Sequence, residues 1–240
     1  MIKAYDLLLE LEVIGTEQNR KVYRRHGVKG YQFGVSFANL NRLAKRIGSN
    51  TQLAEMLWCS GVHDARVLAT MVADASTISE DLIDRWLEDL DNYILTDAFS
   101  NMVGRSKFAV KKAGEWSDST QEWVGAAGWN LVARIALHDQ TLDDDYFLAK
   151  LENIEIHIHE RPNRTRYSMN NALIAIGVRT PALEQVALAV SDHIGKVQVD
   201  HGDTSCKTPD ARVYILKTVQ HRNQQRKKKG KAPSKEGLVL

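Results

Sequence analysis

The sequence predicts an all-α chain: a superhelical solenoid of antiparallel helix pairs. Three observations carry that prediction. Apolar residues recur at three- and four-residue steps almost throughout, as in Ala4, Leu7, Leu8 and Leu11, in Val67, Leu68, Met71 and Val72, and in Trp123, Ala127, Leu131 and Ile135. The four prolines stand at 162, 181, 209 and 233, so long stretches are free to be helical. Helix start and stop signals are closely spaced, so the connections are short and neighbouring helices run antiparallel.

Taken in order, Ser49-Asn50-Thr51 precedes an apolar segment that Ser60-Gly61 ends. Asp74-Ala75-Ser76 separates the next two helices, and Ser117-Asp118-Ser119 is read as opening a long helix to about 137. Helix pairs are expected at 51–74, 78–102, 105–137 and 142–176, with a further pair at 181–194 and 210–221. Their spacing of roughly 25–40 residues is irregular, near the lower side of HEAT-type repeat units. A non-repetitive helical bundle is the alternative. The alternating stretch Ile154–His159 fits a strand by period, but one strand has no partner here, so it is read as a helix end or loop.

Composition bounds the function. The chain has 240 residues, 43% hydrophobic and 26% charged, enough to bury a core as one repeat array and ordinary for a water-soluble protein. No apolar run approaches the roughly 20 residues that span a bilayer. The start, MIKAYDLLLELE, carries acids and does not read as a signal peptide. Cys59 and Cys206 are too few for a disulfide framework, and a cytoplasmic location follows as the expectation. The net charge of +2 is uneven. Residues 222–240 hold seven lysines and arginines against one glutamate, a net +6, which leaves −4 for residues 1–221. The expected organisation is a helical repeat domain over 1–221 and a basic, flexible tail over 222–240. Such a tail suits a polyanion, or is simply a solvated end.

Several stretches resemble the DNA alkylation repair family of AlkD-like glycosylases: YQFGVSFANLNRLAKRIG (31–48), LAEMLWCSGVHDARVLATMVAD (53–74), DRWLEDLDNYILTDAF (84–99), EWVGAAGWNLVARIALHD (122–139), NALIAIGVRTPALEQVALAV (171–190) and IGKVQVDHGDTSCKTPDA (194–211). The most specific part is Leu57-Trp58-x-Ser60-Gly61-x-His63-x-Ala65-Arg66, followed by Asp91-x-Tyr93-x-x-x-Asp97. The resemblance implies HEAT-like repeats forming a concave cationic cradle for double-stranded DNA, gripped through its phosphates. It also implies excision of positively charged N3- or N7-alkylpurines, with no cofactor and no metal. Such a base leaves readily, and a carboxylate with aromatic faces nearby stabilises the oxocarbenium-like sugar left behind.

Asp97 and Tyr93 are the catalytic candidates, four apart and so on one face of a helix. Tyr93 stands where the family has Trp. Two implied parts are missing: the family's arginine aligns with Ala126 in Trp123-Val124-Gly125-Ala126, and its second aromatic with Asn171. Trp129 and His138 are the conceivable stand-ins. The candidate DNA contacts are Arg42, Lys45 and Arg46, which form one helix stripe, and Lys107, Lys111 and Lys112 just after the carboxylate. Arg20, Lys21, Arg24, Arg25 and Lys29 form a further basic cluster. A solvated face is the plain reading of each. The run Val199–Pro209 holds Asp, His, Asp and Cys close together, which admits a metal site, but a capped turn leading into the next helix fits better; His157, His159 and Glu160 are as weak. Three functions therefore stand: an alkylpurine glycosylase, a non-catalytic module for branched or distorted DNA, and a protein scaffold.

Overall fold

A computed structural model describes residues 3–230, which form thirteen helices. The first three, α1 (Ala4–Ile14), α2 (Glu17–Arg25) and α3 (Phe37–Ile47), make an N-terminal cap. Five helix pairs follow: α4 (Thr51–Cys59) with α5 (His63–Val72), α6 (Glu80–Glu88) with α7 (Tyr93–Val103), and α8 (Ala109–Ser117) with α9 (Glu122–His138). The last two are α10 (Asp144–His157) with α11 (Asn163–Gly177), and α12 (Pro181–Ile194) with α13 (Ala211–Gly230). Each falls on a predicted pair. The alternating stretch 154–158 belongs to the end of α10, with Ile154 and Ile158 fully buried.

The second helix of each pair packs on the second helix of the next, so α3, α5, α7, α9, α11 and α13 form one continuous layer. The first helices form the other layer. Their joins are visible in side chains: Trp58 of α4 stacks flat on Trp86 of α6 at 4.2 Å, and Lys150 of α10 donates to Ser117 Oγ of α8. Phe99 and Trp116 extend the Trp58–Trp86 stack inward, giving four aromatic rings from four helices. Gly128 lets α9 lie directly against the end of α8, because a Cβ there would meet the Ser117 backbone nitrogen at 2.3 Å.

The specific phrase at 57–66 proves to be a fastening. Asp64, fully buried at the start of α5, accepts from the backbone N–H groups of Phe33 (2.7 Å), Gly34 (3.3 Å) and Val35 (2.6 Å). His63 packs edge-on against Tyr23 of α2. Arg66 lies over the Trp58 ring, and both reach Asp89. These contacts tie the cap to the repeats.

Two boundaries differ from expectation. Ser117 ends α8 and Ser119 Oγ accepts from Gln121 N–H, so the long helix opens at Glu122 rather than at the Ser-Asp-Ser run. The last helix runs on to Gly230 rather than stopping near 221, and Arg222 donates to the Val178 carbonyl. The rest of the expected tail, 231–240, lies outside the described residues. Among the described residues no helix is long and apolar enough to cross a membrane.

Candidate nucleic-acid interface

Tyr93 is the first residue of α7, whose N-cap Asn92 accepts from the Leu95 N–H. One turn on, Asp97 points from the same helix face into the groove lined by α3, α5, α7, α9 and α11. Protein atoms surround its carboxylate on most sides, while the groove mouth leaves it open to water. That partial burial raises its pKa above the ordinary carboxylate value. A 2.8 Å hydrogen bond from Asn130 of α9 and the charge of Arg164 pull it back part of the way.

Tyr93 stands in a stack that the sequence did not reveal. The Arg164 guanidinium of α11 lies over its ring, 3.9 Å from the centre, and over that of Tyr167 at 4.6 Å. The Tyr93 hydroxyl is hydrogen-bonded to Nδ1 of His26, at the end of α2. Burial raises the tyrosine's pKa, with Arg164 working against it, and burial and the arginines lower that of His26.

The segment between α12 and α13 closes this end of the groove. Asn163 and Asp200 exchange two hydrogen bonds, donor and acceptor each way, and His201 stands edge-on to Tyr167 at 5.4 Å. His201, Thr204 and Cys206 thereby line a small recess of about 90 Å³ with Tyr93, Asp97 and Arg164. The run 199–209 is a pinned strap: His201 reaches Thr208 Oγ1, and Asp210 caps the next helix by accepting from Val213 N–H. Among the described residues no three His, Cys, Asp or Glu side chains converge as a metal site would require. His159 instead contacts the Ile194 carbonyl, and His157 faces Glu160 at 3.8 Å.

Two larger cavities flank Asp97. One of about 670 Å³ lies between α3, α5 and α7; the other, of about 270 Å³, lies between α7, α9 and α11. Arg105 lines the first and Arg134 the second. Arg134 donates to Asn101 Oδ1 at 2.9 Å, and Arg105 to the Asn101 carbonyl at 3.4 Å. Neither forms an ion pair among the described residues.

The basic residues named from the sequence fare unequally. Lys112 is 3% exposed, held by Glu80, Asp84 and Glu115 at 2.7–2.9 Å and lying over Trp116, so it is a buried structural charge and no phosphate contact. Lys111 is exposed but bound to Glu80 at 2.7 Å. Arg46 is clamped by both oxygens of Glu10, and Arg42 donates to Asn39. Lys45 and Lys107 are exposed, with Lys107 over the Phe108 ring. Ala126 is buried in α9, a turn before the residue that meets Asp97. The arginine whose charge acts on the carboxylate comes instead from α11, where Arg164 and Tyr167 at i, i+3 were the available signal. Asn171 lines the 270 Å³ cavity as a polar wall. Trp129 is fully buried beneath Lys150 and cannot replace the missing aromatic.

The raised pKa of Asp97 has a sign that can be tested. A carboxylate that holds its proton more tightly folded than unfolded disfavours folding once it is ionised. That penalty is present at neutral pH and vanishes as both states protonate, near the ordinary value of about 4. Asp97→Asn is therefore expected to raise the melting temperature at pH 7, with the gain shrinking toward pH 4. Thermal melts of both proteins across that range check it; a gain independent of pH contradicts it.

Comparison with known proteins gives a consistent picture. A family model described as DNA alkylation repair enzyme matches residues 7–215. Uncharacterized proteins of Listeria innocua and Listeria monocytogenes are each 27% identical over 223 residues, 90% of this chain and 97% of theirs. A solved structure reported as a new family of proteins related to the HEAT-like repeat DNA glycosylases, with affinity for branched DNA structures, superposes with a TM-score of 0.84. It is 28% identical, and the match covers 92% of this chain and 95% of that one. The HEAT-like solenoid expected from the sequence is the fold of this chain.

Proposed function

The chain belongs to the DNA alkylation repair enzyme family, and from that premise we propose that it binds double-stranded DNA in its groove, prefers branched or distorted sites, and leaves the N-glycosidic bond intact. Arg105 and Arg134 would meet phosphates on either side of Asp97, and Arg42, Lys45 and Lys107 would extend the contact along the rim. The branched-DNA affinity of the solved relative supports the preference.

One observation carries the reading against excision: the Arg164 guanidinium lies over both the Tyr93 and the Tyr167 rings, and its charge acts on Asp97. Excision of a cationic base places positive charge on the sugar, and that charge needs an anion and open aromatic faces. Here the faces already hold a cation. The family's second aromatic is also absent, its place taken by Asn171. With the faces unavailable as well, Asp97 serves this proposal as a groove-floor group that shapes the backbone path.

The test is incubation of the full chain with methylated duplex DNA, followed by chromatography of released bases. No 3-methyladenine or 7-methylguanine above the protein-free control is expected, although the DNA is bound. Release that Asp97→Asn abolishes would establish Asp97 and Tyr93 as a catalytic pair and overturn the reading.

A further inference from the structure

The cavity of about 670 Å³ enters the duplex contact proposed above only at its edge, through Arg105 and Asp97. It opens beside Asp97 and is bounded on its far side by Phe37, the first residue of α3, which is 41% exposed. Ala44, Met71, Ile94 and Ala98 make an apolar floor. Polar groups stand around it with capacity to spare. The Asn41 amide donates to the Phe37 carbonyl at 2.8 Å, leaving its oxygen as an acceptor. Asn101 spends its oxygen on Arg134, leaving its N–H groups as donors. Asp97 gives one carboxylate oxygen to Asn130 and retains the other. Arg105 adds a guanidinium to the same wall.

An aromatic side chain, an apolar floor, acceptors and donors together, and a cation fit one kind of ligand well: a flat heterocycle with a mixed hydrogen-bonding edge, joined to a phosphate. The volume of about 670 Å³ lies within the roughly 300–1,000 Å³ of sites that take ligand-sized groups. A paired base is held in its stack and cannot enter a recess in the protein wall; an unpaired one can. We infer that this cavity seats the base of an unpaired nucleotide, stacked on Phe37, with its edge facing Asn41 and Asn101 and its phosphate at Arg105. The inference rests on the groove binding proposed above and supplies a reason for a branch-point preference, since branch points expose unstacked nucleotides.

The probes are a duplex carrying one unpaired 2-aminopurine nucleotide and the same duplex fully paired, each titrated with the full chain. The expected result is roughly tenfold or tighter binding to the unpaired probe, the worth of one base–aromatic stack, with a change in 2-aminopurine fluorescence on binding. Phe37→Ala is expected to abolish both the preference and the fluorescence change while leaving affinity for the paired duplex unaltered. Its melting temperature verifies the fold, and Asn41→Ala, which touches no core position, is expected to reduce the preference independently. Equal wild-type affinity for the two probes without a fluorescence change overturns the seat and leaves groove binding standing. Binding to neither overturns both.

Discussion

Replacing Asp64 with alanine is expected to lower the unfolding free energy by about 3–4 kcal/mol, the largest effect of any single polar substitution in this chain. The side chain is fully buried and satisfies three consecutive backbone N–H groups, of Phe33, Gly34 and Val35. Removing it leaves all three donors without partners in a place water does not reach, and each such orphan costs on the order of 1–3 kcal/mol. Gly34, at φ +80°, cannot rearrange with ease, because even a Cβ on it would meet the Thr16 carbonyl at 2.4 Å. For a chain of this size the loss corresponds to a fall of roughly 10 °C in melting temperature. Urea denaturation of both proteins measures it, and a change below about 1 kcal/mol contradicts the account. The consequence reaches the groove, because the same clasp fixes the segment that follows α2, whose end holds His26 against Tyr93.

Reversing two groove charges together, Arg105→Glu with Arg134→Glu, is expected to cut affinity for a DNA junction by roughly a hundredfold or more at low salt. The two arginines line the cavities on either side of Asp97 and form no ion pair among the described residues. Glutamates there would place three acids in one stretch of groove wall and repel phosphate. Gel shifts at fixed salt check this. Lys111→Glu with Lys112→Gln is the contrasting pair: those lysines are engaged by Glu80, Asp84 and Glu115, so their loss is expected to lower stability and leave affinity within a few-fold.

The contrast between those two pairs marks how far the sequence can be read. Helix positions were legible because each pair carries its own periodicity and boundary signals, such as Asn50 before α4. The juxtaposition of Tyr93 with Asp97 was legible for the same reason, being one turn of one helix. Lys112 was not, because the carboxylates that neutralise it include Glu80 and Asp84 of the preceding pair, about 30 residues away. Arg164 was not, because its setting is assembled from α7 and α11, which local pattern cannot bring together. The phrase at 57–66 was legible as a family mark but not as a fastening: its aspartate acts on a loop about 30 residues earlier.

The groove around Asp97 is proposed as a DNA-binding surface with a preference for branched sites. The most direct measurement is the affinity of the unmodified chain for a four-way junction and for a linear duplex of the same sequence, each followed across a salt series. The account predicts tighter binding to the junction, with the logarithm of affinity falling linearly against the logarithm of salt for both. Absence of binding to either DNA at low salt, or an affinity indifferent to salt, would contradict it and leave the solenoid to be explained as a protein scaffold.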